Sequence, residues 1–278
     1  MVVGVQRSGT NILREILNTN EHIAMLGEIL SPNPAPSCWY NFIADLPPDV
    51  VPSKTPIDAE LLLDRYLEFI ESRIRNHWVD GDKSGCYAIG VDIKYSQLRD
   101  IGPLDWDSAA PPFLLGYLKS REALIIHVIR RNVIQCAISA MIATQRGLWH
   151  NYNGAKIERR YHVDVEECLS RARVIVRERA AFVELVKGFA VITSFYEDLT
   201  NDIARAATDG EIPDDSGPLH DAAKALGVPF GFRYDGRLRK AINVPYAQLL
   251  SNHGALIQAV RQSEFAHFAS SLHSPESS

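Results

Sequence analysis

Short apolar runs alternate along the chain with segments of helical spacing, and this alternation is what most constrains the fold. The runs are Val2–Val5, Ile23–Leu26, Tyr87–Ile93, Ala123–Ile129 and Ala190–Phe195. They are too short for helices and lack a clean polar/apolar alternation, as strands buried on both faces do. Between them, Asp58–Trp78 carries Leu63, Leu67, Ile70, Ile74 and Trp78 at three- and four-residue steps, which predicts a helix. Val133, Ile134, Ala137, Ile138, Met141 and Ile142 mark the face of another helix, running to about Arg146. Val165–Val186 reads as a long helix with Arg171, Arg173, Arg177 and Arg179 on a solvated outer side. Strands separated by helices need crossover connections, so an α/β three-layer sandwich is expected, its sheet mainly parallel and covered by helices on both faces.

A chain of 278 residues can be one large domain or two small ones, and no linker breaks it. One domain over 1–278 is therefore expected. Three stretches stand apart. Seven of the fifteen prolines lie between Ser31 and Pro56, so residues 31–57 read as an irregular surface excursion, without regular helix. Asp209–Asp221 is acidic, contains Gly and Pro, and reads as a loop; residues 274–278 read as a frayed, disordered end.

Composition excludes several classes. The chain is 46% hydrophobic and 23% charged, which is ordinary for a globular protein and unlike a disordered or coiled-coil one. A net charge of −5 argues against a nucleic-acid or anionic-membrane binder but leaves room for a local basic pocket. No apolar run approaches the ~18 residues of a membrane span. Met1–Val5 has no basic start and reads as a strand, not a leader, with a few native residues expected to precede it. Cys38, Cys86, Cys136 and Cys168 are spaced too far apart for a zinc motif, and the sequence offers no clustered carboxylates for a metal. Reduced thiols and a cytoplasmic location are expected.

Two turns carry chemistry. The first is Val2–Asn11, where a strand ends, Ser8-Gly9 turns, and a helix begins. Free amides at that helix start face any anion held in the turn, Ser8, Thr10 and Asn11 add polar side chains, and Arg7 adds a forked cation. Neither GxxxxGK[ST] nor GxGxxG is present. The second is Ile129-Arg130-Arg131-Asn132, closing the most apolar strand at the edge where open α/β sheets bind ligands. Asn132 suits a helix cap, and Ser139 follows Arg131 by eight residues. Taken singly, each turn also reads as an ordinary capped βα connection.

Together the turns resemble the sulfotransferases that use 3′-phosphoadenosine-5′-phosphosulfate (PAPS). Arg7-Ser8-Gly9-Thr10 is similar to that family's 5′-phosphosulfate loop, and Arg131 with Ser139 to its 3′-phosphate element. Leu26-Gly27-Glu28, Gln145–His150 and Tyr196-Glu197-Asp198-Leu199 resemble segments of the bacterial carbohydrate branch, which includes trehalose and nodulation-factor sulfotransferases. The resemblance covers most of the chain and is weakest over 31–85 and 200–232. One departure is Gly90-Val91-Asp92-Ile93-Lys94, where several relatives carry Gly-Phe-Lys, so no role is carried over to Lys94.

The resemblance implies a P-loop-like fold and a cytoplasmic enzyme that moves a sulfuryl group from PAPS, without a metal, to a hydroxyl of a carbohydrate or glycosylated small molecule. It implies Arg7, Ser8, Gly9, Thr10 and Asn11 at the 5′ side, Arg131 and Ser139 at the 3′-phosphate, and Arg239 and Lys240 closing over it. Glu28 is the implied general base with His150 as runner-up, and Arg7 assists the leaving group. Trp39, Trp149 and His150 are candidates for the acceptor pocket, and a homodimer is compatible with the resemblance. The rivals are a P-loop kinase or hydrolase, disfavoured by the missing Gly-Lys-Ser/Thr, and a nucleotide-binding protein without turnover. His127, inside an apolar strand, reads as a core histidine.

Overall fold

The computed structural model describes residues 1–31, 37–47, 56–77, 87–103, 110–149, 159–206, 210–215, 217–234, 236, 242 and 244–273. Five strands form one sheet: β1 (Val2–Gly4), β2 (Ile23–Glu28), β3 (Ala88–Lys94), β4 (Ile125–Ile129) and β5 (Val191–Phe195). Their order is β2-β3-β1-β4-β5 and every pairing is parallel. The first strand of the chain is thus the middle strand of the sheet. Gly4 lies in register with Lys94 on one side and Val128 on the other, so the carboxyl ends of β1, β3 and β4 are level. Whatever follows those three strands shares one rim.

Strand alternation divides the two faces. Val2, Ile126 and Val128 pack with Leu13, Ile16 and Leu17 of α1 (Thr10–Thr19), Leu199 of α7 (Tyr196–Arg205) and Leu219 of α8 (Gly217–Leu226). Val3, Ile93 and Ile125 pack on the other side with Tyr66, Ile70 and Ile74 of α3 (Pro56–His77), Leu114 and Tyr117 of α4 (Phe113–Ser120) and Phe182 of α6 (Val165–Leu185). A third cluster joins α5 (Val133–Arg146) and α6 to α9 (Tyr246–Leu249), α10 (His253–Arg261) and a 3₁₀ segment, Ala266–Leu272. The helices cover both faces, as the alternating pattern requires. Among the described residues no helix is long and apolar enough to cross a membrane.

Two expectations change. The proline-rich excursion holds a short helix, α2 (Trp39–Ala44), in the gap between its proline groups. The Trp39 amide donates to the Ile29 carbonyl at 2.8 Å, and Trp39 and Phe42 bury against Tyr66, so packing makes a helix where propensity alone does not. The acidic loop ends earlier than Asp221, because α8 begins at Gly217 with Pro218 in its first turn, where a proline has no hydrogen bond to lose.

Candidate active site

The chain leaves β1 through Val5–Gly9 and enters α1. Ser8 braces this turn: its amide and its hydroxyl both donate to the Val5 carbonyl, at 3.2 and 2.7 Å. Ser8 is buried and both of its donors are spent, so its part is to hold the loop's shape. Arg7 (φ 69°) and Gly9 (φ 102°) both take left-handed backbone conformations. A side chain at Gly9 would stand 2.6 Å from the Tyr196 ring, and one at Gly4 would stand 2.5 Å from the Ser8 hydroxyl. The loop is therefore pressed between β1 and α7, with glycine required at both contacts. Gly9 is the N-cap of α1 and brings no side-chain cap. Thr10 and Asn11 open the first turn, where amides have no carbonyl one turn back and favour an anion.

Arg7 reaches across the rim. Its Nε donates to Ser139 Oγ at 3.1 Å and a terminal nitrogen donates to the Trp149 carbonyl. The first βα turn, the second turn of α5 and Trp149, two residues beyond that helix's glycine cap, Gly147, thus meet at one guanidinium. Trp149 itself is partly exposed beside this junction.

Beneath Thr10 lies a buried ammonium. Lys94 Nζ is 2.7 Å from Thr10 Oγ1, 2.7 and 2.8 Å from the two Asp92 oxygens, and 3.3 Å from Glu28 Oε1. Asp92 is 0% exposed, Lys94 3% and the Glu28 side chain 20%, so of this group Glu28 is the one open to solvent. Asp92 and Lys94 are two apart on β3 and share a face. Glu28 reaches them through an irregularity in β2: the register shifts between Met25 and Glu28, and Glu28 then stands opposite Asp92.

The second turn is arranged differently. Arg131 makes a bidentate pair with Asp198, at 2.6 and 2.7 Å, and lies 3.9 Å over the Phe195 ring. This pairing holds the Asp198 carboxyl below the usual carboxylate range. Glu197 accepts from the amides of Arg131 (3.1 Å) and Asn132 (3.2 Å). Asn132 caps α5 through the Gln135 amide at 3.0 Å, as its residue type suggests. Arg130, which sequence reasoning did not single out, is the buried member of the pair. It lies 4.8 Å over the Tyr196 ring and 3.5 Å from the Arg7 carbonyl. The signal was present in strand alternation, since Arg130 is in step with Ile126 and Val128, which face α1.

Other candidates separate. Trp39 is buried in the α2–α3 core; its exposed neighbour is Tyr40, whose hydroxyl stands 3.4 Å from Asp100 Oδ2. His127 is a core histidine, its Nε2 2.5 Å from the Tyr95 hydroxyl and its ring against Phe182. Burial, with the nearby Arg179 cation, pushes its pKa down to about 4. Arg179 departs from the solvated helix face expected for it and donates inward to the Arg130 carbonyl at 2.9 Å, whereas Arg171 and Arg173 are exposed and pair with Glu167 and Glu264. His150, Arg239 and Lys240 lie outside the described residues. Among the described residues no three His, Cys, Asp or Glu side chains are grouped to hold a metal ion.

The rim therefore offers a helix start for an anion, three cations close by (Arg7, Arg130 and Lys94), and one accessible carboxylate against the same ammonium. A carboxylate so placed can accept a proton from a group bound at the turn. No family model and no curated protein sequence matches the chain.

Proposed function

We infer that the chain is a PAPS-dependent sulfotransferase acting on a hydroxyl of a carbohydrate or glycosylated small molecule. The observation that carries this reading is the meeting of Arg7 with Ser139 at 3.1 Å. The two residues come from the two turns that separately resemble phosphate elements, and they lie 132 positions apart. The strand order β2-β3-β1-β4-β5, with the glycine turn after the central strand, supports a P-loop-like frame.

The donor set suits the 5′ side of such a donor. Gly4 and Gly9 let the turn pack closely on Ser8 and Tyr196, α1 begins there, and Arg7 and Lys94 supply positive charge. PAPS supplies an activated sulfuryl group whose transfer makes an acceptor O–S bond, breaks the bridging S–O bond and releases adenosine 3′,5′-bisphosphate. Arg7 and the α1 amides stabilise charge on the leaving phosphate. Glu28 takes the acceptor proton. Ser139 and Arg131 serve the 3′ side, which requires Asp198 to share or release the Arg131 guanidinium.

The test is calorimetric titration with adenosine 3′,5′-bisphosphate and with ATP and magnesium. Tight binding of the bisphosphate with a weak response to ATP, followed by sulfuryl transfer to a sugar acceptor, is the expected result. Preference for ATP with magnesium, or binding of neither, overturns it.

A further inference from the structure

We propose that Asp92 is a positioning residue: it holds the Lys94 ammonium between Glu28 and Thr10, and so sets the basicity of Glu28 and the direction of the Thr10 hydroxyl. The proposal rests on the functional reading above for what Glu28 does, but not for the contacts.

An ammonium has three protons. Lys94 directs its protons to Thr10 at 2.7 Å and to the two Asp92 oxygens at 2.7 and 2.8 Å, and forms an ion pair with Glu28 Oε1 at 3.3 Å. Thr10 Oγ1 accepts, so its own proton is left for another acceptor, and the mouth of the turn is where an anion would provide one. Asp92 is 0% exposed, and among the described residues its carboxylate acts on the rim through Lys94. A carboxylate there is costly: a buried ion pair gains little stability over apolar residues of the same volume. Its effect is on placement. Two carboxylates share one cation, and Asp92, with the shorter contacts, takes the larger share of it. Glu28 is held by Lys94 but not neutralised by it, which is what a proton acceptor needs.

Among the described residues the charged groups against Glu28 are Lys94 and Asp92 of β3; Arg14 of α1 lies against Gly27 and pairs with Glu15 at 2.9 Å. Removing the Asp92 charge leaves Lys94 to Glu28 alone. Glu28 then becomes the weaker base.

The experiment reads Glu28 directly, by ¹³C NMR titration of its carboxyl carbon, assigned by its loss in Glu28→Gln. In Asp92→Asn the Glu28 midpoint is expected to fall below that of the wild type, because Lys94 then has no second carboxylate to share. In the Asp92→Leu, Lys94→Met pair, which removes both buried charges and keeps an apolar volume, the midpoint is expected to rise above that of Asp92→Asn. In turnover, Asp92→Asn should lower kcat about tenfold. The donor KM should stay within about twofold and the acid limb of the rate profile should move to lower pH, a shift that a merely structural role for Asp92 would not produce. A Glu28 midpoint that is the same in the wild type and in every variant that folds overturns the proposal. Wild-type protein that transfers no sulfuryl group overturns the functional reading instead, and the titration still decides the role of Asp92.

Discussion

The two βα turns of this sheet look alike in sequence and differ in what surrounds them. Each closes a buried strand, carries an arginine and starts a helix. At the first, the neighbouring strand β3 contributes a cation, Lys94, and the loop's own hydroxyl, Ser8, is consumed in holding its shape. At the second, α7 contributes two carboxylates: Asp198 covers the Arg131 guanidinium and Glu197 covers the amides of Arg131 and Asn132. At the first turn the carboxylates, Asp92 and Glu28, pair with Lys94 behind Thr10; at the second, Asp198 and Glu197 pair with the turn's own guanidinium and amides. The difference arises from the neighbouring element, not from the turn, because a cation's availability depends on what else it pairs with.

The sharpest way to break this contrast is at Glu28. Glu28→Gln keeps the shape and removes the proton acceptor, so sulfuryl transfer should fall at least ~100-fold, the usual scale for general-base loss. Bisphosphate affinity by calorimetry should stay within about twofold, since Glu28 faces Lys94 and not the turn's amides. Retained transfer removes Glu28 from the base role. Next in size is Gly9→Ala. A left-handed backbone at φ 102° and a collision with Tyr196 require the loop to move. Strain of ~1–3 kcal/mol is expected, together with bisphosphate binding weakened by about tenfold or more. Unchanged affinity would show that the anion does not use this turn.

The second turn gives a smaller, two-signed effect. Arg131→Ala should weaken bisphosphate binding by about fivefold to tenfold, because it removes a charge-assisted hydrogen bond at a half-exposed site. Asp198→Asn should tighten it severalfold, because the carboxylate that now occupies Arg131 is gone while the arginine remains. Equal weakening in both variants would mean that Asp198 orients Arg131 for the ligand and does not compete with it.

How much of this was legible in the chain depends on range. The strands and the long helices follow from apolar spacing, a local property. The paired turns follow from residue type at strand ends. Helix α2 was hidden because its stability comes from Trp39 and Phe42 packing on Tyr66 of a later helix. In α4, Phe113, Leu114, Leu115 and Tyr117 are apolar on nearly every side, which blurs the helical period. The Lys94 cluster was out of reach for a different reason. Thr10, Glu28, Asp92 and Lys94 come from three separate elements, and their meeting depends on strand order and on the register shift in β2. Trp39 and Ser8 fall under the same rule: residue type suggests a ligand contact for each, while the neighbours make one a core residue and the other a brace.

The least effect at neutral pH is expected behind both turns, where the residue that follows β3 and a residue of β4 share a polar contact inside the core. Tyr95 follows Lys94 directly, and its hydroxyl meets His127, three residues before Arg130. Burial pushes the Tyr95 hydroxyl above its ordinary range and His127 down to about 4, so the pair is neutral in the folded protein. An unfolded chain protonates His127 near its ordinary value of 6.5. Between those two values the unfolded state binds a proton that the folded state does not, and stability therefore falls as pH drops from 6.5 toward 4. Above 6.5 the contribution is complete and flat. His127→Gln keeps a partner for Tyr95 and removes the titration. Urea melts of the wild type from about pH 7 to about pH 4 should lose stability faster than those of the variant, while bisphosphate binding at about pH 7.5 stays the same in both. Parallel losses would show that His127 takes up its proton without unfolding. A change in binding would show that the core contact between Tyr95 and His127 bears on the turns above it, and that the contrast between them is set partly from below.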